Sequence, residues 1–201
     1  MKRIAALLLI ASALLLTGCA TTRMVSSQVT AVATVPPGAQ LPGAKYRFER
    51  LPLQVHNPEA GLAEQQAEQA LTAVGLVRDD AQAQLSVLVG FQSSQYVYDP
   101  SGRLGAYPWR PYGAFAFGRN GAFGYNWGVG MNTPPLTDYR REVSLILRDL
   151  RSGQVVYETH ASHAGAWRDS EPIFATLFKA ALANFPNPPA GVQRVNIEIP
   201  R

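Results

Sequence analysis

The sequence predicts an α+β domain: a two-layer sandwich with a mainly antiparallel sheet and two helices on one face. Three observations carry that expectation. Leu85, Val87, Val89 and Phe91 alternate with more polar residues, the period of a half-buried strand. Asp138–Leu150 and Gln154–Trp167 are two long strand-like runs joined around Ser152-Gly153, a hairpin signal. Ile173, Phe174, Leu177, Phe178, Ala181, Leu182 and Phe185 recur at helical spacing and form one broad apolar stripe.

The remaining elements follow in chain order. Gln28–Val35 has spaced valines and reads as a first strand. In Lys45–Arg50, Tyr46 and Phe48 alternate with charged residues, as in a short strand. Asn57-Pro58 opens a helix, since Asn caps well and Pro suits a first turn. Ala63, Ala67, Ala70, Leu71 and Val74 lie on its apolar side, and Gly75 ends it. The last helix begins near Ser170 and is stopped by Pro186, Pro188 and Pro189. Val195, Ile197 and Ile199 read as a final edge strand. Two helices with one apolar face each can cover one face of such a sheet.

The N-terminus is an address. Lys2 and Arg3 precede an uncharged run from Ile4 to Leu16, followed by the small residues Thr17 and Gly18. The run is shorter than the roughly 20 residues a membrane span needs. A charged start, a short apolar core and a small-residue exit describe an export signal. The segment Leu16-Thr17-Gly18-Cys19 resembles the bacterial lipobox, and Cys19 is the one cysteine in the chain. The resemblance implies cleavage before Cys19, a diacylglyceryl group on its sulfur and an acyl chain such as palmitate on its amine. Several chains are needed because one acyl chain binds a bilayer only marginally, at about 0.8 kcal/mol per buried CH₂. In Gram-negative lipoproteins an Asp after the cysteine commonly signals inner-membrane retention, so the resemblance, with Ala20 there, implies the outer membrane.

The expected organisation is a signal peptide over residues 1–18, a lipidated tether over 19–27 and one domain over 28–201. Losing Lys2 and Arg3 with the signal leaves 16 basic against 14 acidic residues. No stretch concentrates Lys and Arg, so no nucleic-acid partner is expected. With its single cysteine taken by lipid, the mature chain has no thiol pair for a disulfide.

In its strand and helix patterns the chain also resembles bacterial lipoproteins grouped as domain of unknown function 4136. The lipobox, Tyr46-Arg47-Phe48 before a helix, and Gly75-Leu76 leading into Leu85–Phe91 carry the likeness. So do Leu145-Ile146-Leu147-Arg148-Asp149-Leu150, Gly153-Gln154-Val155-Val156-Tyr157 and the helix over Pro172–Phe185. The resemblance spans roughly residues 28–186. It implies an envelope lipoprotein with an α+β fold and no particular substrate, cofactor or catalytic residue.

One segment stands apart. An insertion at about 96–135 holds, between Gly105 and Gly130, seven glycines and eight aromatics. Trp109, Tyr112, Phe115, Phe117, Phe123, Tyr125 and Trp127 are its candidate contact residues. Ala114–Gly130 reads as a hairpin turning at Arg119-Asn120-Gly121, with a three-residue turn pairing Phe117 with Phe123 and Phe115 with Tyr125. Three readings stand side by side. The hairpin packs on its own domain, its glycines keep it flexible, or it meets a partner protein, a glycan or the membrane interface, where Tyr and Trp are enriched.

The residue types and spacings gather into no reactive constellation. His160 and His163 have a metal-binding spacing on a helix, but in a strand an odd separation points them to opposite faces, so they read as surface histidines, like His56. Arg140-Arg141 reads as a solvated strand end. Asp169 and Glu171 read as helix N-terminal charges. No G-x-S-x-G elbow or phosphate loop occurs. The chain is therefore expected to be a non-enzymatic, lipid-anchored binding or assembly accessory without cofactor or metal, facing the periplasm. The alternative is a glycan- or peptidoglycan-acting enzyme with an aromatic groove and Asp99 and Asp138 as its carboxylate pair.

Overall fold

A computed structural model describes residues 22–35, 41–98, 109–117, 123–131 and 136–201, with backbone alone between 109 and 131. Cys19 and the segment expected to be an export signal lie outside the described residues. The strands are β1 (Thr22–Ala33), β2 (Lys45–Glu49), β3 (Val77–Arg78), β4 (Leu85–Tyr98), β5 (Trp109–Phe117), β6 (Phe123–Met131), β7 (Leu136–Asp149), β8 (Val155–Gly165) and β9 (Gln193–Pro200). The described helices are α1 (Pro52–Val55), α2 (Ala60–Ala73) and α3 (Glu171–Ala181). Seven strands form one sheet in the order β3-β2-β4-β7-β8-β1-β9, and β5 pairs with β6.

The expected mainly antiparallel sheet with two helices is overturned. The sheet is mixed, because β2 runs parallel to both β3 and β4. Three helices accompany it among the described residues. The cause is the crossover from β2 through α1 and α2 to β4. A connection of that length, carrying a helix, lets two strands pair in parallel, whereas a tight turn cannot. The pairs β4–β7, β7–β8, β8–β1 and β1–β9 are antiparallel.

Alternation builds the core. Val25 and Val29 of β1, Val143, Leu145 and Leu147 of β7, and Tyr157 and Ala161 of β8 all face inward. Their even-numbered neighbours Gln28, Thr30, Glu158 and His160 are exposed. Onto the inward face α3 presses Ile173, Leu177 and Phe178, each fully buried, and α2 contributes Ala67, Ala70 and Leu71. Each large side chain buried in this way contributes about 1.5–3 kcal/mol. Phe174 and Phe185, at the rim of the α3 stripe, are half-buried.

The C-terminal cap of α2 matches the local sequence, whereas its N-cap is Glu59 without a side-chain cap, so the expected Asn57 cap and Pro58 first turn lie ahead of the helix. Gly75 adopts φ +89°, and the Leu76 amide donates to the Leu71 carbonyl at 3.0 Å, closing a Schellman motif. Asn57 Oδ1 accepts from the Glu59 amide at 3.0 Å, just ahead of α2. In the β7–β8 turn, Gly153 has φ +72°, and Asp149 Oδ1 accepts from the Ser152 amide at 2.7 Å.

The first strand begins earlier than the expected Gln28. Residues 22–27 belong to β1 and pair with β9, starting at Thr22↔Pro200. Arg23 and Ser27 occupy inward positions of this strand. Their polar character disguises the strand period in the sequence.

Candidate functional site

The β1–β8 pairing begins at Gln28↔Ser162, while β1 is held by β9 from Thr22 to Val29. Ahead of Gln28, β8 and β1 part. A shallow groove of about 240 Å³ opens there, lined by Ser26, Ser27, Ser162, His163, Arg140 and Arg194, among others. His163 spans the gap, with Nδ1 at 2.8 Å from the Ser26 carbonyl oxygen. A carbonyl can only accept, so this contact assigns the proton to Nδ1.

Beside it lies a buried cationic cluster. Arg141 stands opposite His163 in the β7–β8 register and is completely buried. Its Nη2 donates to the carbonyls of Trp167 at 2.6 Å and Arg168 at 3.0 Å, and its Nε to Ser170 Oγ at 3.0 Å. The guanidinium lies over the Tyr139 ring at 5.2 Å. Burial pulls the Arg141 pKa below its ordinary value, opposed by the charge of Asp169. Arg23, also buried, grips Asp169 with both terminal nitrogens. That hydrogen bonding raises the Arg23 pKa and lowers the Asp169 pKa. The Trp167 ring lies under the guanidiniums of Arg23 at 5.0 Å and Arg201 at 5.3 Å.

Chemically, the cluster ties the 166–170 loop and the start of α3 to β1 and β7. Two guanidiniums and one carboxylate make a clamp. Arg141 Nη1, Arg23 Nε, Ser27 Oγ and His163 Nε2 are buried without a hydrogen-bond partner among the described residues. No group of three or more metal-ligating side chains is gathered among the described residues.

Two sequence expectations are corrected here. Arg141 is a core residue, not part of a solvated strand end, and His163 is buried rather than a surface histidine. Parity held the signal, because Arg141 belongs to the odd series of Val143, Leu145 and Leu147, and His163 to that of Tyr157 and Ala161. The odd spacing does send His160 and His163 to opposite faces, and His160 is exposed, 3.9 Å from Glu142. His56 is exposed at the end of α1. Glu171 lies in the first turn of α3. Asp169 precedes that helix but is also the partner of Arg23.

The other candidates are only partly described. Asp138 lies on β7 opposite Tyr96, whereas Asp99 is outside the described residues. The backbone register of β5 and β6 pairs Phe117 with Phe123 and Phe115 with Tyr125, as a three-residue turn requires. Trp127 stands opposite Gly113, Tyr112 opposite Gly128, and Trp109 opposite Met131.

Known proteins offer distant company. The chain is similar in structure to a PDZ domain protein from Parabacteroides distasonis, at 14% identity and TM-score 0.48. That alignment covers 94% of this chain and 41% of the other, so the chain spans under half of that protein. It is also similar to the PelC dodecamer protein of Paraburkholderia phytofirmans, at 13% identity and TM-score 0.41, covering 80% of this chain and 99% of that one. No curated protein matches the sequence. The family described as Domain of unknown function (DUF4136) matches residues 42–187, so the chain belongs to that family.

Proposed function

We propose that this protein is a lipid-anchored lipoprotein of the outer membrane, facing the periplasm and acting without catalysis as a binding or assembly accessory. The observation that carries the proposal is Leu16-Thr17-Gly18-Cys19 at the exit of a charged-then-apolar leader. Two or more acyl chains on Cys19 give stable anchoring where one does not. The start of β1 at Thr22 supports the same reading, since it sets a folded domain immediately behind the anchor position. The polar cluster around Arg141 fits an accessory role, because its hydrogen bonds fasten a loop and a helix start to the sheet. The aromatic insertion is the proposed contact element.

Labelling cells with radioactive palmitate and fractionating their membranes tests the proposal. The wild-type protein is expected to carry label and to float with outer membrane. Cys19→Ser is expected to lose the label and remain as precursor or appear in the soluble fraction. Label that persists in Cys19→Ser would refute attachment at this sulfur.

A further inference from the structure

Strand registers place several features at one end of the sheet. Thr22 of β1 pairs with Pro200 of β9. Tyr98 of β4 pairs with Leu136 of β7, and Tyr139 of β7 with Gly165 at the end of β8. All of these strand ends lie on the same side of the sheet, because each successive pair is antiparallel. The chain before β1, the 166–170 loop, the C-terminal end of β9 and both attachment points of the aromatic insertion therefore share one end. The opposite end carries the Asp149–Gln154 turn. The 14 residues of β7 separate the two ends, a distance of about 45 Å.

Cys19 is three residues ahead of Thr22. Fully extended, three residues reach about 11 Å at most. An acylated Cys19 thus holds this end, and not the other, against the lipid. Its exposed residues suit that position. Tyr96 is 66% exposed, Val97 52% and Met24 54%. Half-buried Trp167 lies under the Arg23 and Arg201 guanidiniums, and Arg168 is exposed in the same loop. Amphipathic aromatics and long basic side chains favour the headgroup layer, where the ring or stem meets acyl chains and the polar tip meets phosphate and water. Asp138 and Glu198 are exposed at this end as well. The charge is balanced, as suits a mixed headgroup layer rather than a purely anionic ligand.

We propose that this end of the sheet is a lipid-contact surface, seated in the headgroup layer and built from Met24, Tyr96, Val97, Trp167, Arg168 and Arg201. The inference rests on lipid attachment at Cys19. It assigns the domain one orientation, with the β7–β8 turn pointing away from the bilayer and the insertion emerging at the membrane-facing end.

Because the native sulfur carries the lipid, an introduced cysteine can be labelled alone. The full mature lipoprotein, its lipidation checked by mass, is reconstituted in phosphatidylethanolamine–phosphatidylglycerol vesicles. A nitroxide is attached at Arg168→Cys, or at Ser152→Cys in the distant turn. Power saturation then compares collisions with oxygen, which concentrates in lipid, against a water-soluble nickel chelate. The label at position 168 is expected to be shielded from nickel and relaxed by oxygen, with the label at 152 fully open to nickel. Tyr96→Ser/Val97→Ser is expected to reduce the shielding at 168. Equal nickel access at both positions in lipidated protein, or shielding at 152 alone, overturns the orientation. An unmodified Cys19 thiol overturns the anchor reading and the orientation with it.

Discussion

Arg23 and Asp169 join the start of β1 to the loop ahead of α3, 146 positions further along the chain. A guanidinium in the second residue of β1 holds, through both terminal nitrogens, the carboxylate just before α3. Arg23 is buried, while the Asp169 side chain is 49% exposed. The pair therefore consists of a cation that depends on its partner and an anion that water partly serves. Removing the anion is the damaging change, since it leaves a buried charge without compensation.

Asp169→Asn is expected to cost about 1.5–3 kcal/mol, the range for a hydrogen bond to a charged group, read as a lowered urea midpoint with unchanged slope. The effect depends on pH in a fixed direction. Arg23 holds the Asp169 carboxyl below its ordinary value of 3.8. A depressed carboxylate contributes stability that is fully present above the unfolded value and is lost as pH falls through the folded one. The wild type should thus exceed Asp169→Asn by a constant margin near neutrality, shrinking below about pH 4.

Arg141 makes a sharper test of geometry. Its three hydrogen bonds go to two carbonyls and a hydroxyl, an arrangement suited to a planar fork rather than a point charge. Arg141→Ala is expected to cost about 2–4 kcal/mol, since buried carbonyls lose charged donors. Arg141→Lys should recover only part of that loss. Chemical denaturation reports both values. Full rescue by lysine would show that charge, and not the fork, is what the loop requires.

At the C-terminus of α2, Gly75 has φ +89°. A Cβ there would meet no close neighbour, the nearest atom being Gly43 N at 4.0 Å. Gly75→Ala therefore isolates the backbone cost of a left-handed residue, about 1–2 kcal/mol. A thermal midpoint unchanged by this substitution would contradict the cap.

Gly90 of β4 faces Ser144 of β7 in register. A Cβ on Gly90 would fall 2.3 Å from Ser144 Oγ but 3.6 Å from Ser144 Cβ. The clash lies with the hydroxyl alone. Gly90→Ala is expected to destabilise the wild type by about 1 kcal/mol, within the range for mild overpacking. In a Ser144→Ala background it should be neutral or stabilising, since alanine avoids the entropic cost of glycine in a strand. A double-mutant cycle measures the difference, and simple additivity would refute the contact.

The sequence made some of this structure readable and concealed the rest for identifiable reasons. The α3 stripe was legible because Ile173, Leu177, Phe178 and Leu182 are apolar at helical spacing and all are buried, with Thr176 the polar exception on the inward face. The β7–β8 hairpin was legible from the alternation of Val143, Leu145 and Leu147 and from Gly153, which marked its turn. The parallel edge was not, because a strand–helix–strand order leaves open which strands become neighbours. Two residues of β3 and four of α1 are too few to show any period. The start of β1 and the Arg141 cluster were missed because charged or polar residues occupy core-facing positions. There Arg23, Ser27, Arg141 and His163 keep the strand parity while breaking its hydrophobic pattern. A carboxylate some 150 positions along the chain, and carbonyls from a loop, satisfy those cations, and no local pattern announces such partners.

Intact mass spectrometry of the protein extracted from outer membranes tests the central claim most directly. The account predicts a chain that begins at Cys19 and carries a diacylglyceryl group and one further acyl chain. A mass that includes residues 1–18, or a Cys19 thiol open to alkylation, would contradict it.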